Sequence, residues 1–338
     1  MTMGAVGRSS GPPFTSFVAL RTNHHPTALA ISRRYHSIVS SPFGRLAVVV
    51  DARDKRVLAE MPEVERILVA KGLDYKIEEV TEPSEAALVT RKRLAGGHRF
   101  VVAVGGDRIV HQVVNGMVED DRPLVAEPIL GVIAAGADND FLRTFGLPGD
   151  ASAAAHLAGD NVYAIDVGKA TCSDRTGPER ARYFANIAEA GFGADVVTRA
   201  GTRGRLGHFF AFWRAVIGFK RIPIRVRAAR KTYEGLASNV VVGNGRFGGG
   251  GWRVSPRSFP GDGVLEVLVM KGPRSETFTM LPQVYRGEQV PSPNIVELRG
   301  RDVTIEAERP LAVHVDGTII GSTPASFTAL PGLILMKI

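Results

Sequence analysis

Residues Phe100 to Gly116, FVVAVGGDRIVHQVVNG, restrict the fold more than any other stretch of the chain. A run of apolar residues, Phe100 to Val104, stops abruptly at Gly105-Gly106-Asp107. Val110, Val113, Val114 and Met117 then recur at helical spacing. A buried strand that runs through a glycine turn into a helix start is a natural phosphate site. Glycine lets the backbone approach closely, and the free N–H groups of the helix start face the anion. Leu130 to Arg143, LGVIAAGADNDFLR, has the same form. An ordinary strand-to-helix turn would also accept Gly-Gly-Asp, so the motif alone leaves both readings open.

The surrounding pattern predicts an α/β protein with a doubly wound, mostly parallel sheet. Arg45 to Asp51 reads as the first buried strand. The following helix is expected to carry Pro62 in its first turn and to stop near Gly72. Tyr75 to Val80 reads as a strand, and Pro83 to Gly96 as a helix. Ligands in such sheets lie beyond the carboxyl ends of the strands, where Gly105 and Gly136 fall. After Asp160 the pattern changes to short β-rich runs: Tyr183–Glu189, Ile222–Ala228, Ala237–Val242, Val264–Met270, Val303–Ala307 and Ala312–Asp316. These predict a mainly antiparallel β domain over 161–330, with one helix near Leu206 to Gly218. The first domain is placed at 45–160, with the last run, about 331–338, returning to it.

Composition narrows the partners. The net charge of +8 favours anionic ones, whether nucleic acid, phosphorylated ligands or an acidic membrane surface. No base-reading or zinc motif accompanies it, so nucleic acid is not expected. No apolar run approaches the roughly 18 residues that span a bilayer, so membrane contact is expected to be peripheral. The lone Cys172 excludes an internal disulfide and fits a reducing, cytoplasmic setting. Met1 to Gly44 has no Asp or Glu and carries Arg8, Arg21, Arg33 and Arg34. It reads as a disordered leader, a start codon placed too far upstream, or an organellar transit peptide. Oligomeric state is not legible.

Taken together, these segments resemble the catalytic domain shared by diacylglycerol kinases, sphingosine kinases and bacterial lipid kinases. That family carries a GGDGT…E…NG block and then a G-T-x-N-D-F block. Its later landmarks recur here in order: Asp166-Val167-Gly168, Tyr183 to Asn186, Gly191 to Ala194, Asn244, Gly248 to Gly251, Pro256, Asp262-Gly263 and Asp316-Gly317. The similarity covers roughly residues 45 to 338. It implies a nucleotide-binding first domain, a lipid-binding second domain and an active site in the cleft between them. It also implies ATP as phosphoryl donor, Mg2+ as cofactor and a lipid hydroxyl, such as that of diacylglycerol, as acceptor.

Carried over residue by residue, the resemblance assigns Thr81, Gly105, Gly106, Asp107, Arg108, Ile109, Gln112, Gly136 and Ala137 to the nucleotide side. It assigns the Asp262 carboxylate, with the carbonyls of Phe259 and Val264, to magnesium. Asp107, Asp316 and Thr318 fall at catalytic positions. A plain Asp-Gly turn is the other reading of Asp262. Asn115-Gly116 and Asn139-Asp140 read as loop-bridging and helix-capping residues.

Several positions depart from the family pattern. Asp51 stands where a phosphate loop is expected, and would repel phosphate unless Arg53 or a metal compensates. Arg108 replaces a glycine, at a cost of about 1–2 kcal/mol if the backbone there needs positive φ, although a guanidinium also suits phosphate oxygens. Ile109 replaces Thr, Gln112 replaces Glu, and Ala137 replaces Thr. Thr318 replaces the glutamate thought to take the proton from the lipid hydroxyl, and threonine is no general base near neutral pH. Loss of that role costs about 10²–10⁴ in rate. The alternatives are therefore a catalytically impaired lipid- or nucleotide-binding regulator, and a soluble NAD-kinase-like enzyme. Gly207 to Arg221 reads either as a wall for acyl chains, with Lys220, Arg221, Arg225 and Arg227 on headgroups, or as a core helix followed by a solvated strand.

Overall fold

The computed structural model describes residues 41–136, 139–173, 180–194, 220–273 and 275–338. Residues 1–40 of the leader, Ala137 and the helix expected near Leu206 to Gly218 lie outside the described residues.

The first half alternates strand and helix: β1 (Leu46–Asp51), α1 (Lys55–Ala70), β2 (Tyr75–Val80), α2 (Pro83–Ala95), β3 (Phe100–Val104) and α3 (Asp107–Met117). A short hairpin of β4 (Val118–Glu119) and β5 (Arg122–Pro123) leads to β6 (Ile129–Ile133), α4 (Asp140–Phe145) and a 3-10 helix (Ala151–Ala158). Strands β6, β3, β1 and β2 lie side by side in that order, all parallel. Along β1, Leu46, Val48 and Val50 enter one core while Ala47 and Val49 enter another. That alternation is the period of a strand buried on both faces, with α1 and the 3-10 helix on one side and α2, α3 and α4 on the other.

Pro62 lies well inside α1 and not in its first turn. Asp54 caps the helix earlier, accepting the Arg56 N–H at 2.9 Å. The cap outweighs the proline as a start signal.

The second half begins with β7 (Val162–Ser173), β8 (Arg180–Phe184) and β9 (Ile187–Gly191). The run expected as one strand over Tyr183–Glu189 is thus broken at Ala185-Asn186. There follow β10 (Ile222–Ala228), β11 (Lys231–Ala237), β12 (Asn239–Gly243) and β13 (Leu265–Met270). Helix α5 (Ser275–Arg286), β14 (Ile295–Gly300), β15 (Asp302–Ala307), β16 (Ala312–Val315) and β17 (Thr318–Lys337) complete the chain. These later strands pair antiparallel around a separate core that includes Phe184, Val226, Val240, Val267, Val313 and Phe327. Strand β17 threads both halves. Its start pairs with β16, its middle with β15 and β7, and Leu335 and Met336 run parallel beside Ile129 and Leu130 of β6.

Candidate active site

Asp51 ends β1, and Thr81, Gly105 and Gly136 follow β2, β3 and β6, so all four line one edge of the parallel sheet. At Gly105, φ is +140°, and an added Cβ would come within 3.3 Å of Asp51 and 3.1 Å of Ile109. At Gly136, φ is +64°, and a Cβ would meet the Arg56 backbone at 2.5 Å. Both turns therefore require glycine on sterics alone. Asp51 does not stand as a bare negative charge, because Arg53 clamps its carboxylate with two bonds of 3.1 Å. The Thr81 N–H and hydroxyl are both held by Glu85, at 3.0 and 3.4 Å.

Asp107 opens α3, but its carboxylate turns sideways. Its two oxygens accept the Asp140 and Phe141 N–H groups at 3.0 Å each, at the start of α4. Burial pushes Asp107 from the ordinary 3.8 up to about 7, and the nearby Asp140 adds to the shift. Asp140 in turn accepts Gly250 and Gly251 N–H groups at 2.7 and 2.6 Å. Gly249, Gly250 and Gly251 all have positive φ, so their N–H groups form a concave nest for an anion, here a carboxylate of the chain itself. Asn139 caps α4 through Leu142 and also donates to the Gly105 carbonyl at 3.1 Å. Asn115 bridges to Tyr183 in both directions, at 2.8 and 3.0 Å.

The same use recurs in the second half. Asp166 takes the Gly263 and Gly332 N–H groups at 2.6 and 2.9 Å. Asp316 takes those of Ala185, Asn186 and Ile187 at 2.9, 3.1 and 2.9 Å. Asp316 and Gly317, with φ of 43° and 75°, form the two-residue turn between Val315 and Thr318. That is the primed-turn geometry of tight hairpins. His111 on α3 is fully buried, with Nδ1 3.5 Å from the Asp316 carboxylate. Asp107, His111 and Asn115 share one face of α3 at four-residue spacing, a stripe the sequence offered and the motif reading passed over.

The Asp107 and Asp316 carboxylates each accept backbone N–H groups from a distant segment. One assignment is corrected here. Ile109 is 1% exposed and packs into the core below the turn, not against a nucleotide. Arg108 escapes the expected strain as well, because it sits in the first turn of right-handed α3.

The other face of α3 borders an open cleft of about 350 Å³ lined by Ser84, Arg108, Gln112, Gly317 and Thr318. Three departures from the family pattern, at 108, 112 and 318, thus meet in one place. Gly317 comes with the Asp316-Gly317 landmark, and Ser84 joins them without any sequence signal that pointed there. Arg108 and Gln112 are one turn apart on α3, and the hairpin brings Thr318 opposite.

Asp262 lies elsewhere. One oxygen accepts the Val264 N–H at 3.2 Å, and the other pairs with Arg299 at 2.5 Å. Arg299 also reaches Glu266 at 3.0 Å. Burial raises Glu266 above the usual carboxylate range, Arg299 opposes the shift, and Asp262 and Glu297 add to it. The Phe259 carbonyl accepts the Gly261 N–H at 2.9 Å. Among the described residues no group of three or more His, Cys, Asp or Glu side chains is arranged to hold a metal. The oxygen donors at 259, 262 and 264 suit magnesium in kind, but a cation there must displace Arg299.

Two family models cover both halves. Residues 45–170 match the diacylglycerol kinase catalytic domain, and residues 187–337 match the YegS C-terminal NAD kinase beta sandwich-like domain. The chain belongs to the diacylglycerol kinase and YegS-like lipid kinase family. Among its relatives is a protein named "Probable lipid kinase YegS-like" from Stenotrophomonas maltophilia, 27% identical over 276 residues, which are 79% of this chain and 88% of that one. The diacylglycerol kinase of Mycobacterium tuberculosis H37Rv is 28% identical over 250 residues, 71% of this chain and 77% of that one. A crystal structure of a diacylglycerol kinase from Bacillus anthracis strain Sterne superposes with a TM-score of 0.66 at 22% identity, covering 88% of this chain and 97% of that one. The family accounts for the alternation of the first half and the antiparallel second half alike. Among the described residues no helix is long and apolar enough to cross a membrane.

Proposed function

We propose that the chain transfers the γ-phosphoryl group of ATP to a lipid hydroxyl, with diacylglycerol as the simplest acceptor. One observation carries the reading: helix α3, which starts at the glycine turn of the parallel half, meets the Gly317-Thr318 hairpin of the antiparallel half across one cleft. Phosphoryl transfer depends chiefly on positioning and charge stabilisation, and a cleft between two rigid elements supplies both. On this reading Gly105, Gly106 and Gly136 approach the nucleotide phosphates, with Thr81 beside them. Asp107 acts as a positioning residue that ties the first glycine turn to α4. Magnesium, once Arg299 has moved, would be held by Asp262 and the Phe259 and Val264 carbonyls. When bound, the ion neutralises phosphate charge. Peripheral contact with an anionic membrane, through the excess of basic residues, brings the enzyme to its substrate.

The absence of a carboxylate from the cleft lining favours a second reading, a lipid- or nucleotide-binding protein with little turnover. Purified protein incubated with labelled ATP, magnesium and mixed lipid extract separates the two. Labelled lipid supports the kinase. Its absence from both wild type and Thr318→Glu, with ATP still bound, leaves the binding protein.

A further inference from the structure

We infer that the cleft beside α3 is an anion site for the acceptor, so that the preferred substrate carries a phosphate of its own as well as the hydroxyl to be phosphorylated. The hydroxyl rests on the kinase reading above; the anion site does not.

The lining is one cation, three neutral hydrogen-bonding side chains and a glycine: Arg108, Ser84, Gln112, Thr318 and Gly317. No acid is among them. Three of the acids nearest in the chain are turned away or engaged, and Glu82 lies near Arg53. Glu85 holds the Thr81 and Glu82 N–H groups, Asp107 faces α4, and Asp316 faces residues 185–187. Arg108 is exposed, and among the described residues it has no ion pair or hydrogen bond. Gln112 and Thr318 likewise make no side-chain hydrogen bond among the described residues. A guanidinium left without a carboxylate, facing neutral donors, is what a phosphate monoester or diester requires.

The three positions where the chain departs from the family pattern in this cleft all move charge in one direction. Gly to Arg108, Glu to Gln112 and Glu to Thr318 each make the cleft one unit more positive. Simple decay of an active site would not select that direction. A neutral acceptor such as diacylglycerol gains nothing from the change, whereas an acceptor with a phosphate gains at every step. The volume of about 350 Å³ suits a headgroup, not an entire lipid.

Two sources could supply such a phosphate, the acceptor or the nucleotide, and the test separates them. Calorimetry would follow glycerol 3-phosphate, with glycerol as the neutral control, binding to the full chain saturated with a non-hydrolysable ATP analogue. Glycerol 3-phosphate should bind, glycerol should not, and Arg108→Gln should weaken binding on the order of tenfold, as expected for one charge-assisted hydrogen bond. Loss of glycerol 3-phosphate binding whenever the analogue is present would assign the cleft to the nucleotide and overturn the inference. Equal binding by wild type and Arg108→Gln would overturn it too. In single turnover, lipid with a phosphate headgroup should be labelled at least tenfold faster than diacylglycerol, and Thr318→Glu should reverse that order. Equal rates for the two lipids would overturn the substrate preference. Phosphate binding that depends on Arg108, with no transfer to any lipid, would uphold the anion site and defeat the kinase reading instead.

Discussion

The two faces of α3 are built on opposite terms. On the inner face Asp107, His111 and Asn115 are tied to α4, to Asp316 and to Tyr183. On the outer face Arg108 and Gln112 line a cleft and make no side-chain hydrogen bond among the described residues. The inner face belongs to a system of four aspartates, Asp107, Asp140, Asp166 and Asp316, each of which accepts N–H groups from a segment distant in sequence. The family landmarks on the inner face match, and those on the outer face have changed. A matching motif residue here reports the frame, and the chemistry must be read from residues that the frame leaves free.

The largest effect should come from breaking the frame. Asp316→Ala leaves three N–H groups of residues 185–187 without an acceptor beside the buried His111. Each buried, unpaired donor costs about 1–3 kcal/mol, partly recovered by water, so a loss of about 3–5 kcal/mol is expected in urea unfolding. A loss below about 1 kcal/mol would mean that the carboxylate is no staple and would reopen its role as a base.

Next in size is a pH effect. The native Asp107 holds its proton up to about 7, against the ordinary 3.8, because of burial and then Asp140. The folded state therefore binds more protons than the unfolded state across that interval. Stability from this group is fully present below pH 3.8 and is lost as pH rises to about 7, with a slope of at most about 1.4 kcal/mol per pH unit. Asp140→Asn removes one source of the shift and should narrow the pH interval over which that stability is lost. Unchanged pH dependence in that variant would show that burial alone sets the proton affinity.

On the outer face the expected change is in activity. Thr318→Glu restores a base at the hairpin and should raise phosphorylation of neutral lipid by tenfold or more, about 1.4 kcal/mol of barrier. Wild-type turnover at ordinary kinase rates that Thr318→Glu reduces would place the base elsewhere. At Asp262, Arg299→Ala should strengthen magnesium binding several-fold by calorimetry, and Asp262→Asn should abolish it. Equal affinity in both variants would move the ion to another site.

Much of this frame was legible in the sequence because it is local. The Phe100 strand, the glycine turn and the Asn139 cap each declare themselves within a dozen residues. Strand β17 did not, because Gly321, Pro324, Pro331 and Gly332 interrupt its apolar pattern and only its partners hold it extended. Helix α5 was missed for a similar reason, with Pro282 inside it. The cleft was hidden by distance: Ser84, Arg108 and Thr318 meet only when both halves have folded. The aspartates were recognised as chemical residues, but their partners are backbone N–H groups, which no residue type announces.

The smallest predicted effect is the most direct test of the two-faced helix. Arg108→Ala and Gln112→Ala remove side chains that contact no partner among the described residues, from a helix whose packing lies on the other side. Alanine favours a helix at least as well as either residue. Both variants should therefore unfold within about 0.5 kcal/mol of wild type, the ordinary range for surface substitutions. The same pair should weaken phosphate binding on the order of tenfold or more, so stability and binding separate cleanly on this face. The inner face should behave in the reverse way: Asn115→Ala gives up both bonds to Tyr183 and should cost about 1–3 kcal/mol while sparing phosphate affinity. A loss of more than about 1 kcal/mol in Arg108→Ala would show that the guanidinium serves the fold, and the division between frame and cleft would then fail at its central residue.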